Sequence, residues 1–187
     1  MGQTDEAIKS YKKILEIKPD DAYITLNLGI AFKRQGETGL AIDSFQAAIE
    51  INPEFADAHY NLGIVLAIQG KFGDAIVAYN KALSIKPDYA AANNNLGIVL
   101  TNQGKFEDAI VAFKKVINSK ENLSAAYYNM GFAFAEQGKL EKAIEAYYMA
   151  IASKPDFADA HHNLGNALYK QGKLEKAIEA YYMAIAS

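Results

Sequence analysis

ADAHYNLG, residues Ala56–Gly63, decides how this chain is read, because a version of it returns every 34 residues with an Asn in the same place. The Asn residues are Asn27, Asn61, Asn95, Asn129 and Asn163, and each is followed by an apolar residue and a glycine: Leu28-Gly29, Leu62-Gly63, Leu96-Gly97, Met130-Gly131 and Leu164-Gly165. A fixed period decides an architecture before any single element does.

Counted from the Ala or Ser that opens each unit, the repeats run over 22–55, 56–89, 90–123 and 124–157. A half repeat, 1–21, precedes them and a shortened repeat, 158–187, follows, so 1–187 reads as a single array. Small residues recur in phase: Gly at the eighth and fifteenth places, and Ala at the twentieth (Ala41, Ala75, Ala109, Ala143, Ala177). In the unit 56–89, the stretch from Ala56 to Gln69 has no breaker except Gly63, Gln69-Gly70-Lys71 supplies a turn, and Phe72, Ile76, Tyr79 and Leu83 form a second apolar stripe at helical spacing. Two antiparallel helices are predicted, approaching closely at Gly63 and Ala75. Pro87 ends the unit, and Asp88 is expected to cap the next helix. Pro19, Pro53 and Pro155 stand at equivalent places, but Glu121 replaces Pro in the third unit, which predicts a looser link there.

The composition narrows the function classes. Nineteen Lys and Arg stand against 22 Asp and Glu with no basic run, so the chain lacks the positive charge that phosphate contacts require and nucleic acid is not expected as a ligand. No apolar run approaches the roughly 20 residues that span a bilayer, and residues 1–20 have acids and lysines where a signal peptide has its apolar centre. No membrane insertion is expected, and a cytoplasmic location fits the absence of Cys.

An aromatic or Leu at place eleven (Phe32, Leu66, Leu100, Phe134, Leu168), Ala at twenty and an aromatic at twenty-four (Phe45, Tyr79, Phe113, Tyr147, Tyr181) complete a pattern that resembles the tetratricopeptide repeat. The resemblance covers essentially the whole chain. It implies an all-α fold, an α-solenoid of antiparallel helix pairs wound into a right-handed superhelix, with first helices on the concave face and second helices on the convex one. At place four, where the family favours a large aromatic, stand Thr25, His59, Asn93, Tyr127 and His161, which should weaken individual interfaces. PEFADAHYNLG and PDFADAHHNLG are similar to the repeat region of O-linked N-acetylglucosamine transferases. This likeness implies an alternative: a substrate-recognition arm of a larger enzyme.

The same resemblance places the second, fifth, sixth, ninth, twelfth and thirteenth residues of each unit in the concave groove. Three basic and three acidic residues at those places cancel (Lys33, Arg34 and Lys170 against Asp57, Glu136 and Asp159), which suits a neutral or amphipathic peptide. An Asn side chain has both a donor and an acceptor, so it can pair with a peptide's N–H and C=O without regard to sequence. The candidate peptide-binding residues are therefore the row Asn27, Asn61, Asn95, Asn129 and Asn163, with Tyr60, Ile64, Asn94, Ile98, Tyr128, Phe132, His162 and Asn166. At a net ~0.5–1.5 kcal/mol per hydrogen bond, the row yields only several kcal/mol against an association cost of roughly 4–15 kcal/mol. The apolar pockets are thus expected to supply most of the affinity. The bland reading of the row is bonding between neighbouring helices.

No catalytic constellation is present, and a non-enzymatic scaffold for a protein or peptide partner is the expectation. His59, His161 and His162 have no metal-site spacing, each Gly-Lys pair sits in a hairpin turn, not a phosphate loop, and no cofactor is implied. On the outer side, Tyr148-Met149 and Tyr182-Met183 stand where earlier units have Lys12-Lys13, Gln46-Ala47, Asn80-Lys81 and Lys114-Lys115. This predicts apolar patches suited to self-association on the convex face. The chain begins in one second helix and stops after another, so it reads as cut from a longer array. The last, Leu174–Ala186, keeps an apolar stripe, and stacking through terminal helices is a further expected route to a homo-oligomer.

Overall fold

The computed structural model describes residues 2–187, and Met1, in the expected half repeat, lies outside the described residues. Eleven α-helices and no strands occur among the described residues: α1 (Gly2–Ile17), α2 (Ala22–Gln35), α3 (Thr38–Ile51), α4 (Ala56–Ile68), α5 (Phe72–Ile85), α6 (Ala90–Asn102), α7 (Phe106–Ser119), α8 (Leu123–Glu136), α9 (Leu140–Ser153), α10 (Ala158–Lys170) and α11 (Leu174–Ala186). Their contacts divide the chain into two compact units that part between Ala92 and Asn93. In the first, α2 pairs with α3 and α4 with α5, while α1 packs on α2 and α3 on α4. In the second, α8 pairs with α9 and α10 with α11, while α7 packs on α8 and α9 on α10.

Each hairpin turn is made by the glycine at place fifteen. Gly70 has φ +72° in the left-handed region, and its N–H reaches the Ala67 carbonyl at 3.0 Å while the Lys71 N–H reaches Leu66 at 2.9 Å. This pair of bonds satisfies the carbonyls a helix leaves open at its C-terminus. The same two bonds recur at Gly36, Gly104, Gly138 and Gly172.

The glycine at place eight does a different job. A Cβ on Gly63 would come within 2.7 Å of the Tyr79 ring, and one on Gly97 within 2.5 Å of Phe113. The aromatic at place twenty-four thus lies flat on the backbone of its partner helix, and Tyr79, Tyr147, Phe45 and Phe113 are all fully buried. The alanines at place twenty, Ala41, Ala75, Ala109 and Ala143, are buried too. In the first unit this layer joins Leu26, Leu28, Phe32, Phe55 and Val65; in the second it joins Ile144, Leu164 and Leu168. Leu26, expected in the groove, belongs to this core, because its side chain lies under the α1–α2 packing.

The links between repeats differ from expectation in one respect. Asp88 does not cap α6, and Glu54 and Asp156 at the same place do not cap α4 and α10. Each instead fills the third position of a turn with Pro at the second, closed by Phe55 N–H to Asn52 (3.1 Å), Tyr89 N–H to Lys86 (3.1 Å) and Phe157 N–H to Lys154 (3.2 Å). The cap falls one residue later, on Phe55 and Phe157, which have no side-chain acceptor. Asp21 does accept from the N–H groups of Tyr23 and Ile24, at 3.1 and 3.0 Å. Where Glu121 replaces Pro, Lys120 and Asn122 take positive φ, 59° and 45°, to turn the chain.

Candidate functional site

In the first unit, α4 holds Tyr60, Asn61 and Ile64, and α2 holds Asn27. Asn61 is 8% exposed. Its Nδ2 donates to the Asp57 carbonyl at 2.9 Å, and its Oδ1 accepts from the Lys33 ammonium at 2.8 Å. Burial, with the nearby Arg34 charge second, lowers the Lys33 pKa from its usual value. Tyr60 packs against Tyr89 with ring centroids 4.8 Å apart, and the Tyr89 hydroxyl donates to Asp57 at 2.8 Å. Burial, then that bond and the Asp57 charge, push the Tyr89 phenol pKa well up. Asn27 and Ile64 are half-buried.

In the second unit the candidates fall into two groups. Asn163 donates to the Tyr128 hydroxyl at 3.0 Å and accepts from Asn166 at 3.4 Å, and the Asn166 Oδ1 accepts from the Tyr181 hydroxyl at 2.9 Å. His162 lies beside that ring, 5.7 Å between centroids. Both amides of α10 are therefore engaged in one chain of hydrogen bonds between two tyrosines. Burial raises the Tyr128 pKa, helped by Asp159 and opposed by the bond from Asn163.

The second group surrounds a hollow of about 220 Å3 whose wall includes Ile98, Tyr128, Asn129 and Phe132, with buried Phe113 behind them. Ile98 and Phe132 are 36% and 41% exposed, so apolar surface faces outward here. Asn129 Nδ2 donates to Asn94 Oδ1 at 3.0 Å across α8 and α6. Asn95 is half-buried and has its own interactions. The sequence reading missed Phe113 and Tyr181 as parts of these sites. The aromatic at place twenty-four was the available signal, since it underlies the first helix.

The histidines at place four are structural. His59 Nε2 donates to the Pro53 carbonyl at 2.9 Å and His161 Nε2 to that of Pro155 at 2.8 Å, and both rings are buried. A carbonyl can only accept, so the proton sits on Nε2. Among the described residues no His, Asp and Glu are grouped to hold a metal ion, and no helix is long and apolar enough to cross a membrane.

Paired helices joined by a glycine turn, and presenting amides and apolar side chains from the first helix of each pair, define a helical-repeat scaffold. The chain belongs to the tetratricopeptide repeat family: profiles described as tetratricopeptide or TPR repeat match residues 1–36 and 133–172, 26–90, 66–130 and 159–187. Among curated proteins nothing matches. Among solved structures, the MamA protein of Desulfovibrio magneticus RS-1 superposes with a TM-score of 0.82 at 24% identity, over 88% of this chain and 93% of that one. YrrB, described as a TPR protein with an unusual peptide-binding site, gives 0.79 at 24% identity, over 96% and 92%. PilF of Pseudomonas aeruginosa gives 0.77 at 24%, over 98% and 78%. These likenesses establish the fold, an all-α solenoid of tetratricopeptide helix pairs.

Proposed function

We propose that this chain is a scaffold that holds a peptide or protein segment on the face built by its first helices, with side-chain amides aligning the main chain and apolar hollows gripping side chains. The observation that carries the reading is the hollow of about 220 Å3 on that face, walled by exposed Ile98 and Phe132 and edged by Asn129. Half-buried Asn129 stands at its edge, and half-buried Asn27 and Asn95, the latter with interactions of its own, stand on the first helices α2 and α6. YrrB, with the same fold, is described as having a peptide-binding site.

The test uses the intact chain as bait, identifies the captured segment, and maps photo-crosslinks between the two. Crosslinks are expected on first helices. Changing Asn27, Asn95 and Asn129 together to Ala should weaken a captured partner about tenfold or more, at ~0.5–1.5 kcal/mol per bond, with helicity by circular dichroism unchanged. Crosslinks confined to second helices, or undiminished affinity, would overturn the reading.

A second reading, self-association, has its own observation. Tyr148, Met149, Tyr182 and Met183 are all exposed, and Tyr148 and Met183 flank another hollow of about 220 Å3 with Ile151 and Leu164. Exposed apolar surface of this kind favours a contact. Light scattering across a dilution series should show a larger species that Tyr148→Lys with Met183→Lys abolishes; a monomer at every concentration would rule it out.

A further inference from the structure

The Asn row is not uniform, and its differences point to one place. Asn61 has both ends of its amide occupied, by Lys33 and by the Asp57 carbonyl. Asn163 has both ends occupied as well, by Tyr128 and Asn166. Asn94 and Asn129 bond head to tail, which uses the Nδ2 of Asn129 and the Oδ1 of Asn94. That bond leaves an acceptor, Asn129 Oδ1, beside a donor, Asn94 Nδ2, neither with a bonded partner among the described residues.

A residue in extended conformation turns its own N–H and C=O to the same side, which is how antiparallel strands exchange two bonds between one pair of residues. One acceptor next to one donor is the complement of that arrangement. The hollow walled by Ile98, Tyr128 and Phe132 adjoins Asn129. An apolar cavity of about 150 Å3 accepts a benzene ring, so about 220 Å3 accepts one Leu or Phe side chain. No residue of its wall carries a charge at neutral pH, since a tyrosine phenol is the one titratable group in it. A carboxylate or ammonium placed there would lose its hydration without a counter-charge.

We infer that the Asn94–Asn129 amide pair and the adjoining hollow form a single reading point for an extended peptide, holding one main-chain unit by two hydrogen bonds and selecting an uncharged aliphatic or aromatic side chain beside it. This rests on the groove reading above and narrows it from a row of equivalent amides to one pair.

The probe is the blocked pentapeptide acetyl-Ala-Ala-Leu-Ala-Ala-amide, titrated into the isotope-labelled full chain and followed by nuclear magnetic resonance. The side-chain amide signals of Asn94 and Asn129 and the methyl signals of Ile98 should move together. Replacing the peptide's Leu by Asp should remove the shifts. Methylating the Leu nitrogen deletes one bond and should weaken binding about 2- to 10-fold. In the protein, Phe132→Glu changes an exposed side chain, so the fold should survive while the shifts vanish. Equal binding of the Leu and Asp peptides, indifference to N-methylation, or shifts on other first helices without these would overturn the inference and leave the groove reading standing. No shift on any first helix up to millimolar peptide would overturn both.

Discussion

Gly63 sits where an added methyl group would meet the Tyr79 ring at 2.7 Å, and that ring is 1% exposed with nowhere to retreat. Gly to Ala inside a helix ordinarily gains roughly 0.5–1 kcal/mol, whereas overpacking a filled core costs about 1–3 kcal/mol. Here the second effect wins, and Gly63→Ala should lower stability to urea by about 1–2 kcal/mol. Because the clash is with one ring, Gly63→Ala combined with Tyr79→Leu should lose less than the sum of the two single changes; strict additivity would show that the ring is not the obstacle. Tyr147 stands in the same relation to Gly131, and burial raises its phenol pKa above the unfolded value of about 10. A raised pKa means the neutral form is the one the fold favours, so this stability is complete below about pH 10 and is lost as pH climbs beyond it. Alkaline melting curves should therefore be steeper for the native chain than for Tyr147→Phe. At this scale the sequence exposes which positions must be small, since Gly recurs in phase. It does not expose what each meets: Lys33 and Asn61 are 28 residues apart, and only the packing of α2 beside α4 closes the bond that occupies that amide.

Helices α9 and α11 share the sequence LEKAIEAYYMAIA but not their surroundings. Ile144 on α9 is 8% exposed beneath α10, and Ile178 at the matching place on α11 is 54% exposed. Ile144→Lys should thus cost several kcal/mol, in the range of about 2–5 for emptying a large core position, while Ile178→Lys should stay within about 0.5 kcal/mol. Equal effects would mean that α11 is covered in solution. Helix boundaries were legible because glycine turns and prolines punctuate the chain, and the predicted stripe of Phe72, Ile76, Tyr79 and Leu83 falls within α5. The capping role given to the acid after Pro was not. Its position alone does not tell whether it serves a turn or a helix, and the turn hydrogen bond decides. The odd link between α7 and α8 supports a further expectation. Lys120 bears positive φ with a side chain that disfavours it, so Lys120→Gly should raise the melting temperature, by an amount corresponding to about 1 kcal/mol.

The scale of the whole molecule is governed by charge and by period. Each repeat in such an array touches only its neighbours, so one 34-residue phrase, read five times, suffices for the fold class. Side-chain amides escape that economy, because the same Asn at the same place bonds a lysine, a tyrosine or another asparagine according to what the adjoining repeat supplies. Charge is simpler. The chain has a net charge of −3, and the hollow proposed to grip a ligand is walled by uncharged residues. Salt screens interactions between separated charges over a length of about 10 Å at 0.1 M and about 3 Å at 1 M, but it leaves apolar burial intact or slightly strengthened when the anion is excluded from the surface. Affinity for a captured segment should accordingly change less than about 2-fold between low and high salt, whereas a site relying on several ion pairs would lose much more. Isothermal titration at 0.05 M and 0.5 M sodium chloride would read the difference, and a heat capacity change of negative sign would accompany the apolar contact. A tenfold loss at high salt would show that ion pairs supply the grip in place of the uncharged hollow, and would leave the Asn94–Asn129 pair to align the main chain only.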